Sequence, residues 1–182
     1  VEVISNPVNP NLKMDSTIER IEGKLLLLGR NDPVKNHAFA IEVATMARKV
    51  NPKITLSMSG IDKSEEDWIN PMGWISEQEK NYTQHNTNIL LVPSKWEGQP
   101  LVILEAMACG LAVIANSELA QLPDNIGKAS LENKQQWVDS ILETIKSNSS
   151  NIDYSQQLVE YEIENVPLRN MCAVHATVVF AC

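Results

Sequence analysis

Two pairs of charged residues give this sequence its candidate chemistry. Glu97 and Glu105 flank one short segment, and Arg30 and Lys35 follow Gly29 in another. Carboxylates accept hydrogen bonds from the hydroxyl groups of a sugar or a ribose, and a pair of cations can hold a diphosphate. Two other interpretations stay open from spacing alone. Paired carboxylates also serve glycoside hydrolases as acid and nucleophile, and the two cations could be solvated surface charges.

The surroundings of Glu105 favour a functional role for this residue. Its neighbours in a predicted helix are apolar: Leu101, Val102, Leu104, Ala106 and Ala108. A carboxylate among apolar residues is costly to bury unless a partner compensates its charge. Glu105 is therefore predicted to contact a partner or a ligand.

Alternating strands and helices must position these residues. Continuous apolar runs, typical of strands buried on both faces of a parallel sheet, predict strands at 24–28, 54–58, 89–92 and 112–115, with a weak strand at 68–72. Helical periodicity and capping signals predict helices at 37–50, 76–84, 100–109 and 134–147, with a stunted helix at 64–67. The predicted fold class is α/β, a Rossmann-like, three-layer, doubly wound parallel sheet.

The candidate residues lie in loops that follow two of these strands. Ligands of open parallel sheets bind at the carboxyl ends of the strands, where helix N-termini also point their unpaired amides. Loop 29–35 follows the tetra-leucine strand, and loop 93–100 follows the strand at 89–92. Gly29 permits a tight turn, and Gly98 would let a ligand approach the backbone. His37, a lone histidine in a predicted first turn, is expected to be a polar surface residue.

Composition limits the partners. A chain of 182 residues with 43% hydrophobic residues fits one domain with a real core. Its net charge of −8 opposes a polyphosphate backbone, so nucleic-acid binding is not expected. The three cysteines have neither metal-site nor disulfide-framework spacing, so no metal is expected and a reducing cytoplasm fits best. No apolar run in the sequence has the length needed to span a bilayer.

The segment at 93–110 resembles the donor-site signature of the family 4 (group 1) glycosyltransferases, which have the GT-B fold. The shared pattern is Pro-Ser-x-x-Glu-Gly, then six residues, then Glu-Ala-Met-Ala-Cys-Gly. The Gly-Arg-x-x-x-x-Lys loop at 29–35 resembles that family's diphosphate-binding loop, and residues 3–9 resemble its crossover into the second domain. The resemblance covers residues 1 to about 145 and identifies the C-terminal, donor-binding domain.

The resemblance implies a role for each matching residue. Arg30 and Lys35, with Gly29 in their loop, would grip the donor diphosphate, Glu105 would bind the ribose hydroxyls, and Glu97 would contact the transferred sugar. Glu97, Arg30 and Lys35 are thus the candidate catalytic residues. The backbone of a further set would line the sugar, the phosphates and the base: Gly98, Gln99, Pro100 and Ile75.

The resemblance also implies the domain organisation. The chain is predicted to be one nucleotide-sugar-binding domain over 1–182, with 1–10 as a crossover segment and about 150–182 as a tail of unassigned fold. It begins without an initiator methionine, so we expect a fragment whose N-terminal acceptor domain is missing. The family usually takes a catalytic histidine from that domain, so the chain alone is expected to be inactive.

The implied activity is retaining, metal-independent transfer of a hexose from a nucleoside-diphosphate sugar to a glycan or lipid-linked acceptor, in bacterial surface polysaccharide synthesis. The implied location is the cytoplasm, with peripheral membrane association of the full-length enzyme left open. One alternative is a non-catalytic nucleotide-sugar-binding or partner-binding domain of the same fold, favoured by the absence of glycine from 116–123, where the family often has glycines. A Rossmann dehydrogenase is disfavoured because Gly29 does not begin a Gly-x-Gly-x-x-Gly fingerprint.

Overall fold

A sheet of parallel strands forms the centre of the fold. The structure is a computed structural model that describes residues 15, 17–98 and 100–148. Within these residues the strands are β1 (Lys24–Leu27), β2 (Thr55–Ser59), β3 (Ile69–Gly73), β4 (Ile89–Val92), β5 (Ala112–Asn116) and β6 (Gly127–Ala129). Their spatial order is β3-β2-β1-β4-β5-β6, and every neighbouring pair is parallel.

Helices cover both faces of this sheet. In the same described residues they are α1 (His37–Val50), α2 (Glu77–His85), α3 (Leu101–Ala108) and α4 (Lys134–Asn148). Leu25 and Leu27 of β1 belong to the core that α1 and α4 close, whereas Leu26 belongs to the core that α3 closes. Because successive side chains of a strand point to opposite faces, a strand covered on both sides must be apolar throughout. The predicted doubly wound α/β class is confirmed.

Local signals fix the ends of the two helices that carry site residues. Ser76 and Glu79 form a reciprocal capping box at the start of α2, as the sequence predicts. At the end of α3, Gly110 adopts a left-handed φ of 71°. Its amide donates to the carbonyl of Met107 and the next amide, of Leu111, donates to the carbonyl of Ala106. This paired arrangement satisfies carbonyls that the helix leaves open.

Three sequence-based expectations need correction. Residues 64–67 form no helix; the amide of Glu66 donates to the Ser64 hydroxyl in a turn instead. Strand β6 was not predicted, because its three residues contain a single buried side chain, Ala129. His37 is buried rather than exposed, and its Nε2 lies 2.9 Å from the carbonyl oxygen of Ser59.

The predicted crossover segment at 1–10 and the tail at about 150–182 lie outside the described residues. The assignment of 1–182 to one domain stays a prediction.

Candidate functional site

The order of the strands creates a crevice between β1 and β4. The chain continues from β1 to β2 on one side and from β4 to β5 on the other, so the loops after β1 and β4 diverge at the same edge of the sheet. Ligands of open α/β sheets bind at such a switch point. The structure brings the two loops together, because the amide of Lys95 donates to the carbonyl of Val34 over 2.9 Å.

Asp32 shapes the loop after β1. Its Oδ1 accepts from the amides of Val34 and Lys35 over 2.8 and 3.2 Å. The hydrogen bond from the Lys35 amide is the main reason why the pKa of Asp32 lies below its ordinary value. This turn folds the chain back so that the stem of Lys35 lies over Gly29, where an added Cβ would stand 3.1 Å from Lys35 Cγ and Cδ.

The two cations of this loop differ in their surroundings. Lys35 Nζ lies 2.5 Å from Glu97 Oε1, and the two side chains are 24% and 16% exposed. Arg30 is 76% exposed, and its Nη2 stands 3.9 Å from Asp32 Oδ2. Arg30 is therefore a solvated cation, whereas Lys35 is held against the first of the two candidate carboxylates.

Glu105 has the partner that its apolar helix requires, and the partner is Lys80 of α2. Lys80 Nζ lies 3.3 and 3.2 Å from the two carboxylate oxygens of Glu105 and 2.9 Å from Glu77 Oε2. Burial alone would lower the pKa of Lys80, but the hydrogen bond to Glu77 and the charge of Glu105 outweigh it, and the pKa is raised. Lys80 remains a cation at neutral pH.

A cavity of about 400 Å³ opens beside these groups. This volume lies within the range of small-molecule sites. Its lining residues come from the ends of β1, β2 and β3 and from α2: Leu28, Gly29, Arg30, Lys35, Ser59, Gly60, Gly73, Trp74, Ile75 and Lys80. Three of its side chains are thus cations, and Trp74 is 84% exposed.

The candidate residues from the sequence fall into three groups. Gly29, Arg30, Lys35 and Ile75 line the cavity. Glu97 and Glu105 adjoin it through Lys35 and Lys80. Gly98 and Pro100 follow Glu97 at the start of α3, and Gln99 lies outside the described residues.

Two functional candidates were missed by sequence reasoning. Lys80 stands in a helix of mostly polar residues and looks like part of a solvated face, so only its contact with α3 reveals it. Gly60 follows β2 with a φ of +80°, and its amide donates to the carbonyl of Gly73 over 2.8 Å. A Cβ at Gly60 would stand 2.5 Å from the carbonyl oxygen of Gly29 and 2.7 Å from the amide nitrogen of Asn31. Gly60 therefore permits the close approach that supports the loop after β1.

Gly60→Ala is expected to lower the free energy of unfolding by about 2–4 kcal/mol, since it adds left-handed strain to a clash with backbone atoms that cannot rotate away. Urea denaturation followed by circular dichroism measures this change. Gly98→Ala is the matched control, because an added Cβ at Gly98 meets no described atom within 4 Å, and its effect should stay within about 0.5 kcal/mol. Equal stability of the two variants would contradict the role of Gly60.

The described residues offer neither a metal-binding cluster nor a membrane-spanning helix. Across 15, 17–98 and 100–148, no three His, Cys, Asp or Glu side chains group together in a way that could hold a metal ion. None of the helices in the same part of the chain is long and apolar enough to cross a membrane.

A doubly wound parallel sheet with this cationic crevice defines a Rossmann-like domain of the kind that forms half of a GT-B fold. The chain belongs to the glycosyl transferases group 1 family, whose model matches residues 22–147. The predicted membership of this family is thereby confirmed.

Two curated relatives are proteins of Escherichia coli and Klebsiella pneumoniae. An O-antigen chain mannosyltransferase B of Escherichia coli is 28% identical over 134 residues, which cover 66% of this chain and 35% of the relative. An uncharacterized 41.2 kDa protein in the cps region of Klebsiella pneumoniae is 29% identical over 118 residues, which cover 62% of this chain and 32% of the relative. The chain thus spans about a third of the length of the curated relatives it matches.

Solved structures share the fold. The C-terminal domain of LpcC, a group 1 family glycosyl transferase of Francisella tularensis, superposes with a TM-score of 0.70 at 19% identity, covering 87% of this chain and 97% of that domain. A mutant of TarM from S. aureus, solved with fondaparinux, alpha-GlcNAc-glycerol and UDP, superposes with a TM-score of 0.77 at 18% identity, covering 99% of this chain and 39% of that one. At these identities the likeness shows the fold alone.

Proposed function

We propose that this chain is the donor-binding half of a retaining glycosyltransferase and that its cavity binds a nucleoside-diphosphate sugar. The observation that carries the proposal is the junction of the two loops at the switch point. It places Arg30 and Lys35 in the wall of a cavity of about 400 Å³, with Glu97 held against Lys35. The family supplies the reaction class, glycosyl transfer.

The charges of the cavity suit the departure of a diphosphate. Cleavage of a sugar–phosphate bond develops negative charge on the leaving diphosphate and positive charge on the sugar. Arg30 and Lys35 would stabilise the first, together with the amides at the start of α1, which begins two residues after Lys35. This arrangement requires no divalent cation in the proposed mechanism.

The two carboxylates would hold the ends of the donor on either side of the diphosphate. Glu97 adjoins Lys35 and would contact the transferred hexose, whose developing positive charge favours a carboxylate nearby. Glu105 would accept hydrogen bonds from the ribose hydroxyls. The backbone at Ile75, in the cavity wall next to the exposed indole of Trp74, would contact the base.

The acceptor and the second half of the enzyme are inferred from the relatives. One curated relative is named an O-antigen chain mannosyltransferase and the other a protein in a cps region, which supports a glycan or lipid-linked acceptor in bacterial surface polysaccharide synthesis. An N-terminal domain would supply the acceptor site and the remaining catalytic groups.

Calorimetric titration of the 182-residue chain with UDP, GDP, UDP-glucose and GDP-mannose tests the donor site. We expect saturable binding of one base series, weakened at least tenfold by Arg30→Ala and by Glu105→Ala. Lys49→Ala removes an exposed cation in the last turn of α1 and should leave affinity unchanged. The absence of binding by a folded chain would contradict the proposal.

A second candidate function is a non-catalytic partner-binding domain of the same fold. The loop after β5 favours it, because no glycine occurs at 116–123 and Gln121 holds a left-handed φ of 56°. A folded chain that binds none of the four nucleotides would be the result that supports this candidate.

A further inference from the structure

Lys80 is a charged residue of the cavity to which neither the family pattern nor the proposed reaction assigns a role. It is the fourth residue of α2, and its amide donates to the carbonyl of Ser76 in the first turn of a helix whose start is fixed by a capping box. Its side chain is 19% exposed and crosses to α3, where Glu105 is 22% exposed. A rigid helix therefore aims this cation at one particular carboxylate.

The contacts of Lys80 direct its ammonium group at two carboxylates. An ammonium group has three N–H donors and no acceptor. Lys80 Nζ lies near three oxygens, the two of Glu105 at 3.3 and 3.2 Å and Oε2 of Glu77 at 2.9 Å. These contacts direct the ammonium group at Glu105 and Glu77, so Lys80 can act on a ligand through Glu105.

The same contacts leave Glu105 able to bind a ligand. Each carboxylate oxygen can accept two hydrogen bonds, and Lys80 uses one position on each. The position that remains on each oxygen can accept a hydrogen bond from a hydroxyl group of a ligand. The positive charge of Lys80 also offsets that of Glu105, which would otherwise repel a diphosphate held nearby by Arg30 and Lys35.

We propose that Lys80 is a positioning residue that makes the site selective for ribose: it fixes and neutralises Glu105, so that the carboxylate binds the 2′,3′-diol of the donor without repelling its diphosphate. The proposal rests on the proposed donor-binding function. It predicts that loss of Lys80 removes recognition of the diol and, because the charge of Glu105 then faces the diphosphate, also lowers the affinity for nucleotides that lack the diol.

The test compares Lys80→Met and Lys80→Arg with the unchanged 182-residue chain. Each is titrated with the nucleoside diphosphate that the chain prefers and with its 2′,3′-dideoxy analogue. We expect the unchanged chain to favour the ribose form at least tenfold and Lys80→Met to reduce this ratio to about one. Lys80→Arg should restore the ratio to within about threefold. In a Glu105→Gln background, Lys80→Met should change affinity less than twofold.

Lys134→Met provides the matched control. Lys134 also forms a lysine–glutamate pair, with Glu42 at 2.7 Å, but it joins α4 to α1 and lies outside the cavity wall. This variant should leave both affinities and their ratio unchanged. Thermal unfolding of every variant separates a loss of binding from a loss of fold.

The outcomes distinguish this proposal from the one on which it rests. If the unchanged chain binds the nucleoside diphosphate but Lys80→Met lowers both affinities equally, or lowers neither, the positioning role is wrong and the donor site stands. If Lys80→Met changes affinity as much in the Glu105→Gln background as it does alone, the positioning role is also wrong. If the folded, unchanged chain binds no nucleoside diphosphate, both proposals fail together.

Discussion

Trp137→Ala is expected to lower the free energy of unfolding by about 3–5 kcal/mol, because it empties the largest fully buried side-chain volume described in the core. The ring packs edge-on against Phe39 of α1, with centroids 5.4 Å apart. Its Nε1 donates to the carbonyl of Ser130 over 2.9 Å, and the substitution leaves that carbonyl without this partner. Urea denaturation followed by far-ultraviolet circular dichroism measures the change.

An exposed tryptophan supplies the control for this prediction. Trp74 is 84% exposed, and Trp74→Ala should alter the free energy of unfolding by no more than about 0.5 kcal/mol. Trp137→Phe should fall between the two, since it keeps much of the contact with Phe39 but loses the hydrogen bond. A loss below about 1 kcal/mol for Trp137→Ala would show that α4 contributes little to the core.

The central strands of the sheet could be predicted from sequence because burial on both faces requires an apolar residue at nearly every position. The apolar runs at 24–28 and 89–92 correspond to β1 and β4, which lie at the centre of the strand order. Strands at the edge of the sheet have a weaker apolar pattern. Strand β6 is defined by its backbone pairing with β5, from Ile114 opposite Gly127 to Asn116 opposite Ala129, and this pairing does not depend on an apolar pattern.

The prediction of a stunted helix at 64–67 was wrong for a related reason. A single helical turn is unfavourable unless packing stabilises it, and this segment is almost wholly exposed. Polar side chains there bond locally instead, as when Trp68 Nε1 donates to Glu66 Oε2 over 3.0 Å. Residues of this kind compete with helix formation by satisfying the backbone in turns.

The candidate site could be predicted where it depends on residue type, but not where it depends on contacts between distant segments. The loops at 29–35 and 93–100 can be recognised in the sequence by their charged residues, their glycines and their position after a predicted strand. The importance of Lys80 comes from its contact with Glu105, 25 positions away, and that of Gly60 from its close approach to Gly29 and Asn31 in the loop after β1. Neither contact follows from a regular spacing of residues along the sequence, so only the folded structure reveals it.

Lys35→Met is expected to weaken nucleoside-diphosphate binding by about 2–4 kcal/mol, a factor of about 30 to 900. The variant would lose a cation next to the phosphates of the proposed donor. It also leaves Glu97, only 16% exposed, without the ammonium that lies 2.5 Å away, so a carboxylate then faces the incoming diphosphate. Calorimetric titration measures the loss, and Lys35→Arg, which keeps the charge, should recover part of it.

Substitution of Glu97 separates these two causes. Glu97→Gln alone should preserve or strengthen binding of a nucleoside diphosphate that carries no sugar, because no anion then competes with the phosphates for Lys35. The same variant should lose any preference for the sugar-bearing donor. Lys35→Met combined with Glu97→Gln should bind the diphosphate more tightly than Lys35→Met alone, since the repulsion has gone.

In the proposed donor site, one lysine would serve both ends of the donor. A diphosphate that draws Lys35 towards itself would weaken the contact between Lys35 and Glu97, and the carboxylate would then be available to the sugar. Two ligands that compete for the same cation in this way give non-additive substitutions. Strict additivity of the Lys35 and Glu97 effects on diphosphate binding would show that the contact between these side chains has no part in donor recognition.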